Sequence, residues 1–271
     1  MQQQHLVPAV QNTINQLSAI KATTERFIDP TRGGIIRGLI VSGPGGIGKS
    51  YYVTQALREF GWSHETPTDN IRYFKGDISP AGLYQELYKY SNEGDVLILD
   101  DCDILSKSRG ELAIFLNLMK AATETNPKNR LVSWTRANDS LLKNAGIPAQ
   151  HIFNGTFIWI SNNTKEEIEH RFGSHASAIL RRFRLRELTM SREDKVAYTL
   201  HLIQERDFFG KNCVVRPGGY PQEMIDALTS FIRRNYNKFD NLSPGLTELF
   251  MDEMLEEPDT WEDNLANDYF I

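Results

Sequence analysis

The sequence predicts an α/β fold in which a parallel sheet is wound between helices and is followed by a smaller helical domain. Three observations predict it. A glycine-rich loop, GPGGIGKS at residues 43–50, lies between an apolar strand-like run and an amphipathic helix-like run. Two further apolar runs, at 96–99 and 157–160, are typical of strands buried in a parallel sheet. After about residue 190 the apolar residues recur with the spacing of helices only.

The chain is expected to divide into four segments. The helix-like runs after the sheet begin at Ser191, Pro221 and Ser243, which are residue types that start helices. The expected segments are an N-terminal helical segment and linker at 1–32, the α/β core at 33–190, the small helical domain at 191–251 and an acidic C-terminal tail at 252–271.

Length and composition limit the class of protein. With 271 residues, of which 40% are hydrophobic, the chain can bury one large core or a larger and a smaller one. No apolar run approaches the roughly 20 residues that span a membrane, and the start of the chain lacks the pattern of a secretory signal. Because Cys102 and Cys213 are too few for a disulfide framework, we expect a soluble protein in the reducing cytoplasm.

Charge is distributed unevenly along the chain, whose formal net charge is −5. The segment 252–271 carries eight acidic residues and no Lys or Arg, which leaves 27 acidic and 30 basic residues before it. Such an acidic end is most often solvated or disordered, with an interaction or self-masking segment as the alternative. We therefore expect a mildly basic body with a solvated acidic tail.

The glycine-rich loop fits the pattern G-x-x-x-x-G-K-[ST], with Gly43, Gly48, Lys49 and Ser50 in the fixed positions. Glycines allow backbone N–H groups to surround phosphate oxygens, and the following helix presents its positive end. In this pattern Lys49 reaches the β- and γ-phosphates, and Ser50 is a ligand of Mg²⁺. The residues predicted to bind the nucleotide are Gly43, Pro44, Gly45, Gly46, Ile47, Gly48, Lys49, Ser50 and Tyr51.

A second motif, DVLILDDCD, supplies the carboxylates that a bound triphosphate requires. Asp100 directly follows the apolar residues 96–99 and is predicted to act with Ser50 on the metal. Asp101 is placed to orient or deprotonate the attacking water. A pair of acids in a surface turn is the competing interpretation, and it is disfavoured because surface turns seldom follow such an apolar run. The glycine-rich loop and this strand together predict a hydrolase and not a passive binder.

Two later motifs complete a set that resembles a known family. FIWISNN at 157–163 is a buried strand that ends in amides, and SAILRRFRLREL at 177–188 has the pattern of a helix end followed by a strand. The order of these motifs resembles the AAA+ ATPases over about residues 33–190, and within them the bacteriophage-encoded AAA+ ATPases. The resemblance implies ATP and Mg²⁺ as cofactors, a small helical lid after the core, and assembly into a ring, expected to be a hexamer.

The resemblance also implies individual roles. Asn162 is the expected sensor of the γ-phosphate, with Asn163 as the alternative. Arg182 is the expected arginine finger, with Arg181 as the alternative; a solvated helix end is the competing interpretation of both. A finger acts on the nucleotide of a neighbouring subunit through its fixed planar charge, together with the Lys49 of that subunit.

The sequence departs from the family pattern at two places. Asp101 stands where the family usually has glutamate, so its reach is shorter by one methylene; Asp103 is a further carboxylate, better suited to a helix cap or to an acid that supports the site from behind. The family often has a sensor 2 arginine at the start of a lid helix, and this place is taken by Pro244 or Gly245. Two arginines of the preceding helix are possible replacements, Arg233 and Arg234, although charge on a surface helix is the preferred interpretation of both.

An insertion is expected between the acidic strand and the amide-ended strand. RLVSWT and HIFNGTFIWI could form two strands of a hairpin, and in some AAA+ branches such insertions reach the central pore. A core position is expected for Trp134, with stacking on a base as the alternative. Four basic residues predict weak, salt-sensitive binding of single-stranded DNA: Lys128, Arg130, Arg136 and Lys143.

Two functions are compatible with these features. The first is a phage-encoded, ring-forming motor that hydrolyses ATP and remodels or translocates nucleic acid or protein. The alternative is an ATP-dependent assembly switch or loader-like interaction module with little turnover. The expected partners are further copies of the chain and either single-stranded DNA or a protein substrate, with no membrane; a phage protein would work in the host cytoplasm.

Overall fold

The computed structural model describes residues 3–29, 31, 35–134, 144–211, 213 and 215–271. Its contacts divide the chain into two compact units. The core unit comprises Ser18–Gly43 and Lys49–Leu188, and the helical unit comprises the chain up to Leu17, Pro44–Gly48 and Thr189–Ile271. The first helix, α1 (Gln3–Ile28), contributes residues to both units.

The core unit contains a five-stranded, fully parallel sheet with the order β2-β3-β6-β1-β7. A separate two-stranded antiparallel sheet pairs β4 with β5. The strands are β1 (Gly38–Ser42), β2 (Ile71–Lys75), β3 (Val96–Asp100), β4 (Leu131–Ser133), β5 (Gln150–Ile152), β6 (Thr156–Ile160) and β7 (Phe183–Glu187). The helices of the core unit are α2 (Lys49–Arg58), α3 (Pro80–Lys89), α4 (Arg109–Ala122), α5 (Lys165–Phe172) and α6 (Ala176–Arg182).

Burial explains the sequence pattern of the strands. Every residue of β1, β3 and β6 is buried, because these strands occupy the three inner positions of the sheet. The edge strands β2 and β7 have partly exposed residues and a more polar sequence. Near-continuous apolar runs are what strands buried on both faces require.

Side-chain caps fix where several helices of the core unit begin. Ser79 accepts a hydrogen bond from the backbone N–H of Gly82 (3.0 Å), and Ser108 accepts one from that of Glu111 (3.3 Å). Thr164 and Glu167 form a reciprocal capping box at the start of α5. Each cap satisfies backbone donors that the first turn leaves unpaired. In the described part of the chain, no helix is both long and apolar enough to cross a membrane.

The fold class predicted from the sequence is confirmed. The chain has a wound parallel sheet, with the glycine-rich loop between β1 and α2 and further helices after the last strand. Parallel register brings the carboxyl ends of the inner strands together, since Ile160 pairs with both Val41 and Asp100. The residues that follow these strands therefore lie at one edge of the sheet.

The two short strands β4 and β5 form the predicted hairpin, with Leu131 opposite Ile152. Both of these apolar side chains are exposed, whereas Trp134 is buried against Tyr84, with ring centroids 5.7 Å apart. The expected core position of Trp134 is confirmed. Two of the four predicted basic residues, Arg136 and Lys143, lie outside the described residues.

The expectation that Arg130 faces DNA is wrong. Its side chain is only 2% exposed, and its guanidinium donates to the backbone carbonyl oxygens of Glu124 (2.7 Å) and Ile35 (2.9 Å). The planar guanidinium of arginine can donate to two buried carbonyl groups at once. A count of basic residues in the sequence cannot distinguish such a buried arginine from an exposed one. Lys128 is exposed, as the prediction requires.

The helical unit packs around a cluster of aromatic and aliphatic side chains that includes Phe231, Phe239 and Phe250. Its helices after the core are α7 (Arg192–Glu205), α8 (Gln222–Asn235), α9 (Pro244–Glu256) and α10 (Trp261–Tyr269). The first three begin after the predicted residues Ser191, Pro221 and Ser243. The helix starts predicted from the sequence are therefore confirmed.

The acidic end is helical and packed, so the expectation of a solvated or disordered tail is wrong. Trp261 and Leu265 of α10 are buried in the helical unit. Beyond α10, Phe270 pairs with Phe239 in an antiparallel bridge, and the N–H of Ile271 donates to the carbonyl of Lys238 (2.9 Å). Apolar side chains at helical spacing determine this packing, and the acidic residues occupy the exposed positions between them.

Replacing Trp261 by alanine should destabilise the protein if the acidic end is part of the packed unit. The Trp261 ring lies 5.0 Å from that of Phe231, and removing a large buried aromatic side chain costs about 3 kcal/mol. Urea unfolding followed by circular dichroism measures the change, with the exposed Glu256→Ala as the control expected to differ from the wild type by less than about 0.5 kcal/mol. Equal stability of Trp261→Ala and the control would show that the tail is not packed.

Candidate functional site

The glycine-rich loop has a backbone path that favours glycine at three of its positions. Gly43 has φ 131°, Gly46 has φ 70° and Gly48 has φ 101°, all in the left-handed region. A Cβ atom on Gly43 would clash with the carbonyl oxygen of Leu188, and one on Gly46 would clash with the hydroxyl of Ser243. The glycines therefore allow a tight backbone curve, which is the geometry that a phosphate-binding loop needs.

Gly245, one of the two residues at the sequence position where the resemblance implies a sensor 2 arginine, makes a backbone contact with the glycine loop. In the helical unit, the N–H of Gly245 donates to the carbonyl of Gly46 (3.3 Å). The two possible replacements have other partners: Arg233 donates to Gln204 (2.9 Å), and Arg234 pairs with Glu262 (2.8 Å). These contacts support the interpretation that the two arginines stabilise the surface of the helical unit.

Lys49, the first residue of α2, is held inside the core unit. The side chain is 4% exposed, and its Nζ donates to the carbonyl of Gly43 and to Oδ1 of Asn162, both at 2.9 Å. Burial lowers the pKa of Lys49 to about 8, although the charges of Asp100 and Asp101 act in the opposite direction. The ammonium is thus positioned at the loop by the amide of Asn162.

Asp100 ends the buried strand β3, and its carboxylate is fully buried. Ser50 donates its hydroxyl to Oδ1 (2.9 Å), and Tyr73 donates its hydroxyl to Oδ2 (2.7 Å). Burial and the neighbouring Asp100 carboxylate raise the pKa of Tyr73, so this phenol remains a donor at neutral pH. The predicted metal residues Ser50 and Asp100 are therefore in direct contact.

Asp101 follows in a left-handed conformation, with φ 52°, which aspartate tolerates better than most residues. Its half-exposed carboxylate accepts a hydrogen bond from Nδ2 of Asn162 (3.3 Å) and lies 3.2 Å from Nζ of Lys75. The sharp turn after β3 thus brings the predicted base beside the predicted sensor.

The two alternative sensor residues have different surroundings. The side chain of Asn162 bridges Lys49 and Asp101. The side chain of Asn163 instead contacts the hydroxyl of Ser161 (3.2 Å), and its backbone carbonyl accepts from the N–H of Gly43 (3.3 Å). This geometry supports Asn162 as the residue that senses the nucleotide and Asn163 as a support of the loop.

Asp103 takes no part in this cluster. Its carboxylate accepts a hydrogen bond from the backbone N–H of Ser106 (3.2 Å) and caps the short 3₁₀ helix Ile104–Ser106. The interpretation of Asp103 as a helix cap is confirmed, which leaves Asp101 as the candidate base.

The two candidate finger residues lie at the end of α6. Arg182 pairs with Glu124 (2.5 Å) and donates to the carbonyl of Ala178 (2.9 Å). The hydrogen bond from Arg182 lowers the pKa of Glu124 to about 2. Arg181 is exposed. Within one chain, therefore, Arg182 has a carboxylate partner, and Arg181 is the more accessible of the two.

Sequence reasoning missed two residues of the cluster, Tyr73 and Lys75, which both belong to β2. Nζ of Lys75 lies 3.2 Å from Asp101 and 3.7 Å from Asp100. Although partial burial acts in the opposite direction, the hydrogen bond to Asp101 and the charge of Asp100 raise the pKa of Lys75. No local sequence pattern marks either residue, because their position beside Asp100 depends on the pairing of β2 with β3.

The oxygen atoms of Ser50 and Asp100 fit a magnesium site. Mg²⁺ prefers hard oxygen ligands and is usually held by one or two carboxylates together with substrate phosphates. A hydroxyl and a buried carboxylate within 2.9 Å of each other, next to a glycine loop and a buried lysine, provide this donor set. The residues present therefore suit a triphosphate with its metal.

Comparisons with known proteins give a relative of similar sequence whose description names no activity. No protein-family model matches the chain. The chain is 28% identical over 233 residues to an uncharacterized 36.7 kDa protein from the nrdC-mobD intergenic region of Enterobacteria phage T4, covering 85% of this chain and 67% of that protein.

Solved structures show remote similarity. NtrX from Brucella abortus, in complex with ADP, aligns with 15% identity and a TM-score of 0.44, over 91% of this chain and about half (52%) of that chain. Domain III of the Thermotoga maritima replication initiation protein DnaA aligns with 14% identity and a TM-score of 0.45, over 93% and 91% of the two chains. The strand order and loop geometry of this chain remain the basis of the fold assignment.

The burial of Lys49 predicts a pH dependence of stability in the nucleotide-free protein. A lysine titrates near 10.5 in the unfolded chain but near 8 in this site, so between these values the unfolded state binds more protons. The stability of the wild type should consequently rise by about 2 kcal/mol relative to Lys49→Met as the pH increases from about 7.5 to about 10. Chemical unfolding at a series of pH values measures this difference.

The exposed Lys128→Met variant is the control, and its stability difference from the wild type should not change over the same interval. A constant difference for Lys49→Met as well would show that the pKa of Lys49 is not lowered by burial.

Proposed function

We propose that the chain is a phage-encoded AAA+ ATPase that hydrolyses ATP with Mg²⁺, works in the host cytoplasm and is active as a ring-shaped oligomer. One observation carries the proposal. A single amide side chain, Asn162, links Lys49 of the glycine loop to Asp101 after β3, while Ser50 of the same loop contacts Asp100. Three separate segments thus contribute the groups that ATP hydrolysis needs.

The glycine loop is proposed to bind the phosphates. Its backbone N–H groups and the positive end of α2 favour anions, and the ammonium of Lys49 provides a positive charge beside them. Because the pKa of Lys49 is about 8, an anionic ligand would favour its protonated form further. When bound through Ser50 and Asp100, Mg²⁺ neutralises charge on the phosphate oxygens.

Asp101 is proposed to orient the attacking water and to accept its proton. Its carboxylate is half exposed, so water has access, and the Asn162 amide and the Lys75 ammonium hold it from two sides. Asn162 also contacts Lys49, so it connects the base to the phosphate-binding residue. The chain's own residues therefore provide a base, its orientation and a cation for the phosphates.

The finger is proposed to come from a neighbouring subunit. Arg182 can play this part only if it exchanges its partner Glu124 for the neighbour's phosphate, whereas the exposed Arg181 needs no such exchange. The family resemblance favours Arg182, and exposure favours Arg181. Assembly would then be required for activity, because a finger cannot complete the site of its own subunit.

The remodelled substrate is proposed to be single-stranded DNA or a protein. Of the four basic residues around the hairpin, Arg130 is buried and Lys128 is exposed. The DNA hypothesis now depends on Lys128 and on residues outside the described part of the chain. DNA binding at low salt in the presence of ATP favours the nucleic acid; its absence favours a protein.

A second candidate is an ATP-dependent assembly switch with little turnover. The ion pair between Lys75 and Asp101 favours it, because it already engages one oxygen of the carboxylate that would have to accept the proton of the water. Gly245 in place of a sensor 2 arginine also favours the switch, because the site then lacks one of the cations that the resemblance implies. Such a switch would bind ATP and assemble, but its hydrolysis rate would change little when Asp101 is replaced.

Replacing the proposed base should separate hydrolysis from binding. Asp101→Asn should bind ATP as the wild type does but hydrolyse it on the order of 10²-fold more slowly, because a positioned base is lost. Asp103→Asn is the matched control and should hydrolyse normally, since Asp103 only caps a short helix. Phosphate release and equilibrium ATP binding are the two measurements.

Three results would count against this assignment. Normal hydrolysis by Asp101→Asn together with slow hydrolysis by Asp103→Asn would mean that the base is misassigned. Equal loss of ATP binding in Asp101→Asn and Asp103→Asn would refute the assignment of Asp101 to hydrolysis and not to binding. Negligible hydrolysis by the wild type would favour the switch.

Mixing variants should identify the finger. Arg182→Ala should bind ATP without hydrolysing it, and mixing it with Lys49→Ala should restore part of the activity, because an intact Lys49 then meets an intact Arg182 from the neighbour. Glu124→Gln is the control: it breaks the same ion pair but retains the arginine, so it should remain active. The measurement is phosphate release per folded subunit.

Arg181→Ala is tested in the same way. Rescue with Arg181→Ala and normal hydrolysis by Arg182→Ala would transfer the role to Arg181. If Glu124→Gln loses as much activity as Arg182→Ala and neither is rescued by mixing, Arg182 supports the fold and is not a finger.

A further inference from the structure

The two carboxylate oxygens of Asp100 have different neighbours. Oδ1 accepts a hydrogen bond from the hydroxyl of Ser50 at the start of α2 (2.9 Å). Oδ2 accepts one from the hydroxyl of Tyr73 (2.7 Å) and lies 3.7 Å from Nζ of Lys75. Tyr73 and Lys75 both belong to the edge strand β2, whose parallel pairing with β3 places Lys75 opposite Asp100. One oxygen therefore faces α2, and the other faces the edge strand.

The groups at the two oxygens differ in what they allow a divalent cation to do. The hydroxyl of Ser50 has oxygen lone pairs, so a cation beside Oδ1 gains a second oxygen ligand. The ammonium of Lys75 has no acceptor atom and repels another cation. The hydroxyl of Tyr73 already donates its proton to Oδ2. The side of Asp100 that faces Ser50 therefore suits a metal ion, and the side that faces β2 opposes one.

The phenol of Tyr73 is also held from its other end. Its ring is stacked on that of Trp62, with centroids 5.4 Å apart and an interplanar angle of 19°, and the ring of His64 meets it edge-on at 5.1 Å. Trp62 is only 3% exposed, and Asp100 is fully buried. Turning the carboxylate would separate a buried acceptor from its donor, which is unfavourable. We therefore expect the hydrogen bond at Oδ2 to persist when a metal is bound.

Magnesium and calcium ions make different demands on a carboxylate. Ca²⁺ takes roughly six to eight oxygen ligands in flexible geometry and can bind both oxygens of one carboxylate, whereas the smaller Mg²⁺ requires near-octahedral geometry. We propose that Tyr73 and Lys75 are positioning residues that leave Asp100 one oxygen for a cation, and that the site thereby selects Mg²⁺ over Ca²⁺. This selectivity rests on the proposed function, because the cation is the one that accompanies a bound triphosphate.

The selectivity is tested by the affinity for a non-hydrolysable ATP analogue, β,γ-imido-ATP, at saturating Mg²⁺ and at saturating Ca²⁺. Isothermal titration calorimetry measures it without requiring turnover. Wild-type protein should bind the analogue at least about tenfold more tightly with Mg²⁺. Tyr73→Phe frees Oδ2 but retains the ring, and Lys75→Met removes the ammonium. Each should reduce the preference for Mg²⁺ by at least about threefold, because each removes one of two obstacles to Ca²⁺ at Oδ2.

Tyr84→Phe is the matched control. It removes the hydroxyl of another buried tyrosine, which donates to the carbonyl of Pro148 (2.7 Å), and it should keep the wild-type preference. An equal reduction in Tyr84→Phe would overturn the proposal, because the loss of any buried hydroxyl would then suffice. If Tyr73→Phe does not fold, Lys75→Met decides alone, since its side chain is 60% exposed in the wild type.

Two further results separate this inference from the proposed function. An unchanged preference in both Tyr73→Phe and Lys75→Met, or equal affinity of the wild type with the two ions, would overturn the selectivity and leave nucleotide binding intact. A wild type that binds the analogue with neither ion would contradict the proposed function itself, and the selectivity with it.

Discussion

The buried carboxylate of Asp100 is the constraint on which the candidate site depends. A carboxylate at the end of a fully buried strand loses its hydration, and this cost is offset only if both oxygens find partners. The hydroxyls of Ser50 and Tyr73 provide them from two different segments, and Lys75 adds a positive charge. The Asp100 carboxylate thereby connects Ser50 of the loop–helix segment with Tyr73 of the edge strand, and the candidate base Asp101 follows it directly in the chain.

Asn162 extends this network to the phosphate side. Its oxygen accepts from Lys49 and its nitrogen donates to Asp101, so a cation and an anion are bridged by a neutral amide. The amide nitrogen can exchange Asp101 for a phosphate oxygen or a water, and the amide oxygen can exchange Lys49 for a water. The arrangement is therefore suited to a site that changes between empty and occupied states.

The fold class and part of the candidate site could be predicted from the sequence, because the inner strands are continuous apolar runs. β1, β3 and β6 are buried throughout, so their apolar runs are unambiguous, and the candidate residues Asp101 and Asn162 follow shortly after two of these runs. Tyr73 and Lys75 could not be assigned, because the pairing of β2 with β3 is set by long-range packing that no local pattern encodes. Counting charges failed in the same way: Arg130 is buried on backbone carbonyls, and the acidic end contains the packed side chain of Trp261.

The affinity for ATP, measured with Mg²⁺ and with a chelator, tests whether Ser50 and Asp100 form a metal-dependent triphosphate site. Wild-type protein should bind ATP at least about tenfold more tightly with Mg²⁺, whereas Asp100→Asn should bind it weakly and equally under both conditions. Asp103→Asn, with an intact Ser50–Asp100 pair, should behave as the wild type does. Full Mg²⁺ dependence in Asp100→Asn, or no ATP binding by the wild type, would contradict the account.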